Sequence, residues 1–282
     1  MHIVHQITDL RNKLAAHRIA KESIGFVPTM GNLHKGHFHL IQNAIKENDH
    51  TVVSIFINPL QFGPNEDFKS YPRTLEEDQE GLRSSGCDYV FAPPQQEMLQ
   101  GKPEEHTKIK VPRVAEILCG KNRPGHFEGV ASVVCQLLNI VGPTNAYFGL
   151  KDYQQFILIK KLIADLKIPV TVKGVETVRN KNGLALSSRN NFFSSRELDI
   201  APHLFASIKE ICAALQAGNR NFKLLENNAQ KRLLDNGFQP DYCSICQSET
   251  LKPAAPDDKE MVILVAAHLG SVRLVDNLRV SL

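Results

Sequence analysis

The sequence predicts an α/β fold, a doubly wound parallel sheet followed by a smaller C-terminal α+β domain. Short apolar runs alternate with helical patterns through the first two-thirds of the 282 residues, which is typical of βαβ units. A polar turn at 179–183 then precedes helices and alternating strands. A hydrophobic content of 42% is enough for a buried core. We therefore expect residues 1–176 to form a Rossmann-like domain and residues 177–282 the smaller domain.

The individual elements follow from the spacing of apolar residues. Predicted strands of the first domain comprise 24–28, 51–57, 88–91, 146–148 and 170–174. Predicted helices comprise 38–45, 74–85, 129–141 and 153–166. In the smaller domain, helices are predicted at about 195–217 and 222–236, and antiparallel strands at 241–247, 261–267 and 271–280. Because open parallel sheets bind ligands outside the carboxyl ends of their strands, we expect functional residues at those ends.

Composition limits the class of partner and the compartment. The net charge of +3 comes from 33 basic and 30 acidic residues with no basic block, so the sequence gives no indication of a nucleic-acid partner. The longest apolar run, 261–267, is too short to span a bilayer, and the first twenty residues lack an apolar signal segment. Six cysteines in a chain of this length suggest reduced thiols. We expect a soluble cytoplasmic protein with a small anionic ligand.

The most informative motif is PTMGNLHKGH at 28–37, where an apolar strand gives way to a helix. Gly31 and Gly36 permit a tight turn, and the free amides of a helix start attract anions. His34 and His37 lie three residues apart on one side of the first helical turn, where both can donate hydrogen bonds to phosphate. The motif predicts a phosphate site, although a solvated or capping role for the histidines stays open.

Gln61 follows the strand 51–57 within the motif NPLQFG. Its neutral amide both donates and accepts hydrogen bonds, which suits a substrate that carries a carboxylate and a hydroxyl. The alternative is simple turn chemistry.

Two further segments offer groups for phosphate. In FGLKDYQQ at 148–155, Lys151 provides a mobile charge and Gln155 lies one helical turn beyond it; the alternative is an exposed lysine on a helix capped by Asp152. LSSRN at 186–190 offers two hydroxyls and a guanidinium, which suits a phosphate clamp or a helix cap. The basic stretch 119–129 has the composition of a flap over a charged ligand.

Together these motifs resemble the pantothenate synthetase (pantoate–β-alanine ligase) family of HxGH nucleotidyltransferases. The resemblance runs end to end through PTMGNLHKGH, NPLQFG, YPRT, CGKNRPGHFEGV, FGLKDYQQ, LSSRN and RLVDN. Three departures are small: the family usually has alanine at Asn32, threonine at Ser132 and aspartate at Thr144.

The resemblance implies that ATP drives ligation of (R)-pantoate and β-alanine to pantothenate, in the biosynthesis of pantothenate and coenzyme A. Pantoate attacks the α-phosphate to form an enzyme-bound pantoyl-adenylate and release pyrophosphate, and β-alanine then displaces AMP. The resemblance also implies a homodimer in which the smaller domain closes over the active site. Mg²⁺ would arrive with ATP without dedicated protein ligands, and Asp78 would be an outer contact.

Residue roles are carried over from the same resemblance. His34 and His37 would stabilise the phosphate groups, with His37 as proton donor. Gln61 would bind pantoate and β-alanine, and Gln155 would bind pantoate. The implied catalytic set is His34, His37, Lys151, Ser187, Ser188 and Arg189. The implied ATP-binding set is Met30, Gly31, Asn32, Leu33, His34, Lys35, Gly36, His37, Gly149, Leu150, Lys151, Asp152, Val178, Leu186, Ser187, Ser188 and Arg189.

Other functions use parts of the same pattern. An adenylyl or cytidylyl transferase acting on a phosphate acceptor also uses the histidine pair, but it calls for a cation where Gln61 and Gln155 are neutral. An aminoacyl-tRNA synthetase is disfavoured by chain length and balanced charge. A non-catalytic nucleotide-binding protein with the same fold is the remaining class.

Overall fold

The structure is a computed structural model that describes residues 1–64, 66–101 and 105–282. The chain divides into two compact units. Met1–Leu150 and Leu158–Glu176 form the first unit, whereas Lys151–Ile157 and Thr177–Leu282 form the second. The short stretch 151–157 thus groups with the C-terminal residues, although its sequence lies among the βαβ units of the N-terminal part.

The first unit contains a six-stranded sheet in which every neighbouring pair is parallel. Its strands are β1 (His2–Val4), β2 (Ile24–Thr29), β3 (His50–Ile55), β4 (Tyr89–Phe91), β5 (Asn145–Gly149) and β6 (Thr171–Val175). The spatial order β1-β4-β3-β2-β5-β6 places β2 and β5 where the strand order reverses. This architecture confirms the predicted doubly wound fold. The strand β1, with only two apolar residues between histidines, was not predicted, and neither was the helix that follows it at Ile7–Ile19.

Helices connect these strands. They are α1 (Ile7–Ile19), α2 (Lys35–Glu47), α3 (Leu75–Ser85), α4 (Gln95–Met98), α5 (Cys119–Asn122), α6 (His126–Val141) and α7 (Tyr153–Leu166). Buried residues of the strands and of α2 and α3 share one core, including Val27, Ile41, Val53, Leu82 and Tyr147. Over the described residues, none of the helices combines the length and the apolar character that a membrane crossing requires.

The second unit packs helices on a three-stranded antiparallel sheet. Its elements are α8 (Ser195–Ile200), α9 (His203–Gln216), α10 (Phe222–Asp235), β7 (Gln239–Gln247), β8 (Glu260–Leu269) and β9 (Val272–Ser281). The single helix predicted at 195–217 is wrong: the chain forms two helices there. Pro202 lies between them, and its missing N–H and its ring interrupt a continuous helix.

A buried ion pair joins the segment that begins at Thr177 to β9, the last strand of the second unit. Arg179 donates two hydrogen bonds to the carboxylate of Asp276, at 2.5 and 2.7 Å. The Asp276 side chain is 3% exposed, and the guanidinium carbon lies 3.4 Å from the ring centroid of Phe205. A bidentate, stacked geometry of this kind suits arginine rather than lysine. Removing one partner of such a pair typically costs about 3–5 kcal/mol.

Helix α6 lies unusually close to the turn that follows β3. A Cβ atom built on Gly129 would lie 2.1 Å from the carbonyl oxygen of Leu60 and 2.7 Å from the amide nitrogen of Gln61. Only glycine permits this approach, because backbone atoms cannot yield as a flexible side chain can. The position of α6 therefore fixes the position of the Gln61 turn.

We predict that Gly129→Ala destabilises the protein. Helix propensity alone favours alanine by about 1 kcal/mol, but the clash with Leu60 requires a backbone shift that typically costs about 1–3 kcal/mol. The free energy of unfolding measured in urea should therefore be lower than that of the wild type. Gly63→Ala is the control, because its added Cβ would meet Glu66 at an ordinary 3.6 Å. A Gly129→Ala protein more stable than wild type would contradict the close approach.

Candidate active site

Three loops emerge side by side at the carboxyl edge of the parallel sheet. Thr29 and Ile55 pair at the ends of β2 and β3, and β2 also pairs with β5. The loop from Met30 follows β2, the turn with Gln61 follows β3, and Leu150 follows β5. Of the predicted site residues, those from Met30 to His37, Gln61, Asp78, Gly149 and Leu150 belong to this unit.

The loop after β2 is held by a buried carboxylate. Gly31 and Asn32 both have left-handed backbones, with φ of 81° and 51°. Asp78, which is 4% exposed, accepts hydrogen bonds from the amides of Asn32 at 2.8 Å and Leu33 at 2.7 Å. Thr74 donates a further bond to it at 3.2 Å. Asparagine tolerates a positive φ better than alanine does, so Asn32 suits this loop.

His34 and His37 form the capped start of α2. The Nδ1 atom of His34 accepts a hydrogen bond from the amide of Gly36 at 3.1 Å, and that of His37 accepts from the amide of His34 at 3.2 Å. Their ring centroids are 4.1 Å apart. A neutral imidazole whose Nδ1 accepts carries its hydrogen on Nε2. In their neutral form both rings therefore carry a hydrogen on Nε2, and both lie at a helix N-terminus, a site that favours anions.

The amide of Gln61 has one fixed orientation. Asn58, which is 2% exposed, donates from Nδ2 to the Gln61 Oε1 atom at 3.0 Å and to the carbonyl of Gly129 at 3.1 Å. Its Oδ1 atom accepts from the amide of Leu60 at 3.0 Å. The Gln61 Nε2 atom lies 3.1 Å from the Met30 sulfur, a weak acceptor. This network makes Nε2 the donor end of the Gln61 side chain.

The basic stretch after α5 is engaged within the first unit. Arg123 donates from Nε to Glu66 at 2.7 Å and pairs with the second carboxylate oxygen at 2.5 Å. His126 Nδ1 lies 2.8 Å from the carbonyl of Gln61. Burial raises the pKa of Glu66, but the hydrogen bonds and charge of Arg123 outweigh burial and leave that pKa below its ordinary value. Here Arg123 and His126 support the Gln61 turn, an arrangement that a basic composition alone does not predict.

Lys151 and Gln155 belong to the second unit. Lys151 lies in the 3-10 turn Leu150–Asp152, and its Nζ atom is 3.6 Å from the carboxylate of Asp152. Asn277 on β9 donates from Nδ2 to the Lys151 carbonyl at 2.8 Å. Gln155 follows in the first turn of α7. The backbone at Lys151 is thus anchored to the last strand of the second unit.

The remaining predicted residues lie on a connected loop of the second unit. Leu186 donates its amide to the carbonyl of Val178 at 2.9 Å, which joins the two ends of the polar turn. Ser187 caps the 3-10 turn Ser188–Phe192 and accepts from the amide of Arg189 at 3.3 Å. Val178, Leu186, Ser187, Ser188 and Arg189 therefore form one continuous structural element.

Sequence analysis missed the supporting residues of this site. Asn58 lies in the motif NPLQFG and Asn277 ends the motif RLVDN, but the sequence predicted a role for neither. An asparagine directly after a buried strand and before proline is typical of a side-chain capped turn, a signal that could have identified Asn58. No local pattern marks Asn277, whose partner is 126 residues away.

Comparison with known proteins places the whole chain in one family. A family model described as Pantoate-beta-alanine ligase matches residues 2–279. A pantothenate synthetase from Chromohalobacter salexigens is 51% identical over 276 residues, which cover 98% of this chain and 97% of that protein. One from Pseudomonas aeruginosa is 48% identical over 282 residues, covering 100% of both chains.

Solved structures agree with the sequence comparison. The crystal structure of pantothenate synthetase from Thermus thermophilus covers 99% of both chains, with a TM-score of 0.92 and 40% identity. The pantoate-beta-alanine ligase from Francisella tularensis, complexed with beta-gamma ATP and beta-alanine, has a TM-score of 0.82 and 36% identity, and covers 99% of this chain and 97% of its own. Because the family model spans nearly the whole sequence, the chain belongs to the pantoate-beta-alanine ligase family.

Proposed function

We propose that this chain ligates pantoate and β-alanine in two half-reactions on one ATP. As a member of its family, the chain is an ATP-dependent pantoate–β-alanine ligase. A free carboxylate is a poor electrophile, so pantoate first attacks the α-phosphate and pyrophosphate departs. The amine of β-alanine then attacks the pantoyl-adenylate and displaces AMP. Pantothenate, AMP and pyrophosphate are the products.

The observation that supports the first half-reaction is the position of His34 and His37 at the capped start of α2, where both Nδ1 atoms accept backbone amides. Negative charge builds on the phosphate oxygens as pyrophosphate leaves, and donors fixed in advance stabilise such charge without reorganisation. The loop Met30–Gly31–Asn32–Leu33, held by the Asp78 carboxylate, leads directly into this histidine pair. We assign both histidines to the ATP phosphates, with His37 as the proton donor and Lys35 and Gly36 as part of the same ATP loop.

The fixed amide of Gln61 supports a carboxylate-bearing acid as the acceptor. With Oε1 occupied by Asn58, Nε2 is directed toward acceptor groups such as the carboxylate or hydroxyl of pantoate. A transferase that uses a phosphate acceptor would be served better by arginine or lysine at this position. We assign Gln61 to pantoate and β-alanine, and Gln155 to pantoate.

Groups of the second unit supply positive charge and hydroxyl donors. We assign Lys151, Ser187, Ser188 and Arg189 to the ATP phosphates, because a lysine point charge and a guanidinium fork both stabilise phosphate oxygens. Gly149, Leu150, Asp152, Val178 and Leu186 are assigned to ATP contacts along the same segments. The anchoring of the Lys151 backbone by Asn277 supports this role, because a restrained backbone lowers the entropy lost when a flexible side chain binds.

The assignment of ATP and β-alanine as substrates is also supported by the Francisella tularensis relative, whose structure was solved with beta-gamma ATP and beta-alanine. We propose that Mg²⁺ enters with the ATP phosphates and keeps most of its coordination on phosphate and water. We further propose a homodimer in the cytoplasm, the compartment in which ATP is available as a substrate.

The deciding measurement is AMP release from ATP. We expect AMP to form only when both pantoate and β-alanine are present, and pantothenate to appear in equal amount. A non-catalytic nucleotide-binding protein would release no AMP, and a transferase would require a phosphorylated acceptor in place of pantoate. Either result would overturn the proposal.

We predict that His37→Ala and Lys151→Ala each slow adenylate formation at least about a hundredfold, the effect expected on losing one preorganised charge-stabilising group. Pantoate-dependent ATP–pyrophosphate exchange measures this step alone. His39→Ala on α2 and Lys161→Ala on α7 are matched controls: His39 is exposed, the Lys161 side chain is 41% exposed, and neither has an assigned role. Exchange at the wild-type rate in either test variant would contradict that assignment.

We predict that Asp78→Asn lowers both stability and ATP affinity. One carboxamide cannot accept from both loop amides as the carboxylate does, and an unsatisfied buried group costs about 1–3 kcal/mol. The free energy of unfolding measured in urea should fall, and the KM for ATP at saturating Mg²⁺ should rise. If Asp78 were instead an outer contact of the metal, stability would be unchanged and only the Mg²⁺ dependence of the rate would shift.

A further inference from the structure

A second cluster of chemically competent side chains lies at the amino-end edge of the parallel sheet. His17 is in the last turn of α1, Glu22 precedes β2, His50 begins β3 and Tyr89 begins β4. The residues assigned to ATP and pantoate in this unit follow the carboxyl ends of the strands. The amino-end cluster is therefore separate from the groups that serve the ligase reaction.

Both imidazoles converge on one carboxylate oxygen. His17 Nδ1 is 2.7 Å and His50 Nε2 is 2.9 Å from the same oxygen of Glu22. The ring centroids of the two histidines are 3.6 Å apart. Side-chain exposures are 19% for His17, 22% for His50 and 42% for Glu22. Two half-buried histidines, with ring planes inclined by 36°, thus meet at a single carboxylate oxygen of Glu22, a side chain that solvent can reach.

We propose that His17, Glu22 and His50 bind one divalent transition-metal ion, for which Zn²⁺ is the best match. Two imidazole nitrogens and one carboxylate oxygen form a donor set that Zn²⁺ accepts, with water in the fourth position. The three donor atoms lie within 4.8 Å of one another. Tetrahedral coordination separates ligand atoms by about 3.3 Å, so a small shift of the half-exposed Glu22 carboxylate completes the geometry.

The surroundings fit a metal-binding histidine. His17 Nε2 lies 2.8 Å from the Tyr89 hydroxyl, and metal-bound histidines usually engage their second nitrogen in such a bond, which fixes the ring and the tautomer. The Glu22 carboxylate lies within hydrogen-bond distance of both imidazoles, as a carboxylate ligand shared with them would. Tyr89, which is 8% exposed, acts here as a positioning residue.

Metal binding would join three separate parts of the first unit. The ion would connect the end of α1, the segment before β2 and the first residue of β3. Binding to the folded state alone stabilises that state. The site is therefore structural or regulatory rather than part of the ligation chemistry.

The test is a Zn²⁺ titration of the full chain, without nucleotide, in competition with a chromophoric chelator. His50→Gln and Glu22→Gln keep side-chain volume and hydrogen bonding but remove a ligand, and each should weaken Zn²⁺ binding by at least about a hundredfold. Tyr89→Phe should weaken it by about tenfold. His39→Gln, which changes an exposed histidine elsewhere in the unit, should bind as wild type does.

The other close histidine pair, His34 and His37, must be distinguished from this cluster. The double variant His34→Gln/His37→Gln should retain the tight site. Loss of Zn²⁺ binding in that variant, its retention in His50→Gln, or the absence of binding to the wild type would overturn the proposal. A measurement that needs no variant is the ¹H–¹⁵N spectrum of the imidazoles. The ¹⁵N resonances of the His17 and His50 side chains should shift at the lowest Zn²⁺ concentrations. Shifts confined to other histidines would also overturn the proposal.

Discussion

The carboxylate of Asp78 is the constraint on which the loop between β2 and α2 depends. A turn with two consecutive left-handed residues, Gly31 and Asn32, leaves backbone amides that cannot join the sheet or the helix. Asp78 accepts from two amides of this loop inside the protein, where an unsatisfied amide would be costly. Because the loop leads directly into the capped start of α2, this carboxylate indirectly sets the positions of His34 and His37.

A second set of contacts holds the turn that carries Gln61. Gly129 allows α6 to touch the Gln61 turn, Asn58 fills the small polar space between them, and the Gln61 amide takes the orientation that Asn58 dictates. These contacts join backbone atoms to the Asn58 amide, which both donates and accepts hydrogen bonds. A shift of one group would therefore break the hydrogen bonds of the others. The network therefore acts as one rigid piece, so the scaffold rather than a mobile side chain sets the orientation of the Gln61 amide.

The sequence predicted more of the fold than of the support for the site. Contiguous apolar runs located β2 to β6, and apolar spacing located α2, α3, α6 and α7, whereas α1 was missed because it buries only Leu10 and Leu14. The same patterns also missed β1, which has three residues, and joined two helices across Pro202, whose effect on a helix is local. The histidine pair was found because its glycines and strand-to-helix setting are contiguous. The role of Asp78 in the loop was missed because its partner Asn32 lies 46 residues away and no spacing rule links them.

The pairing of Arg179 with Asp276 has a consequence for how the chain folds as it leaves the ribosome. These residues are 97 positions apart, and Asn277 reaches back 126 positions to Lys151. The first unit has all its residues once position 176 has been synthesised, whereas the second must wait for β9. Since domains tend to fold as they emerge, N-terminal first, the segment around Lys151 acquires its native anchor well after the histidine pair is in place. Emergence of β9 is thus the event that supplies the native anchor of the Lys151 backbone.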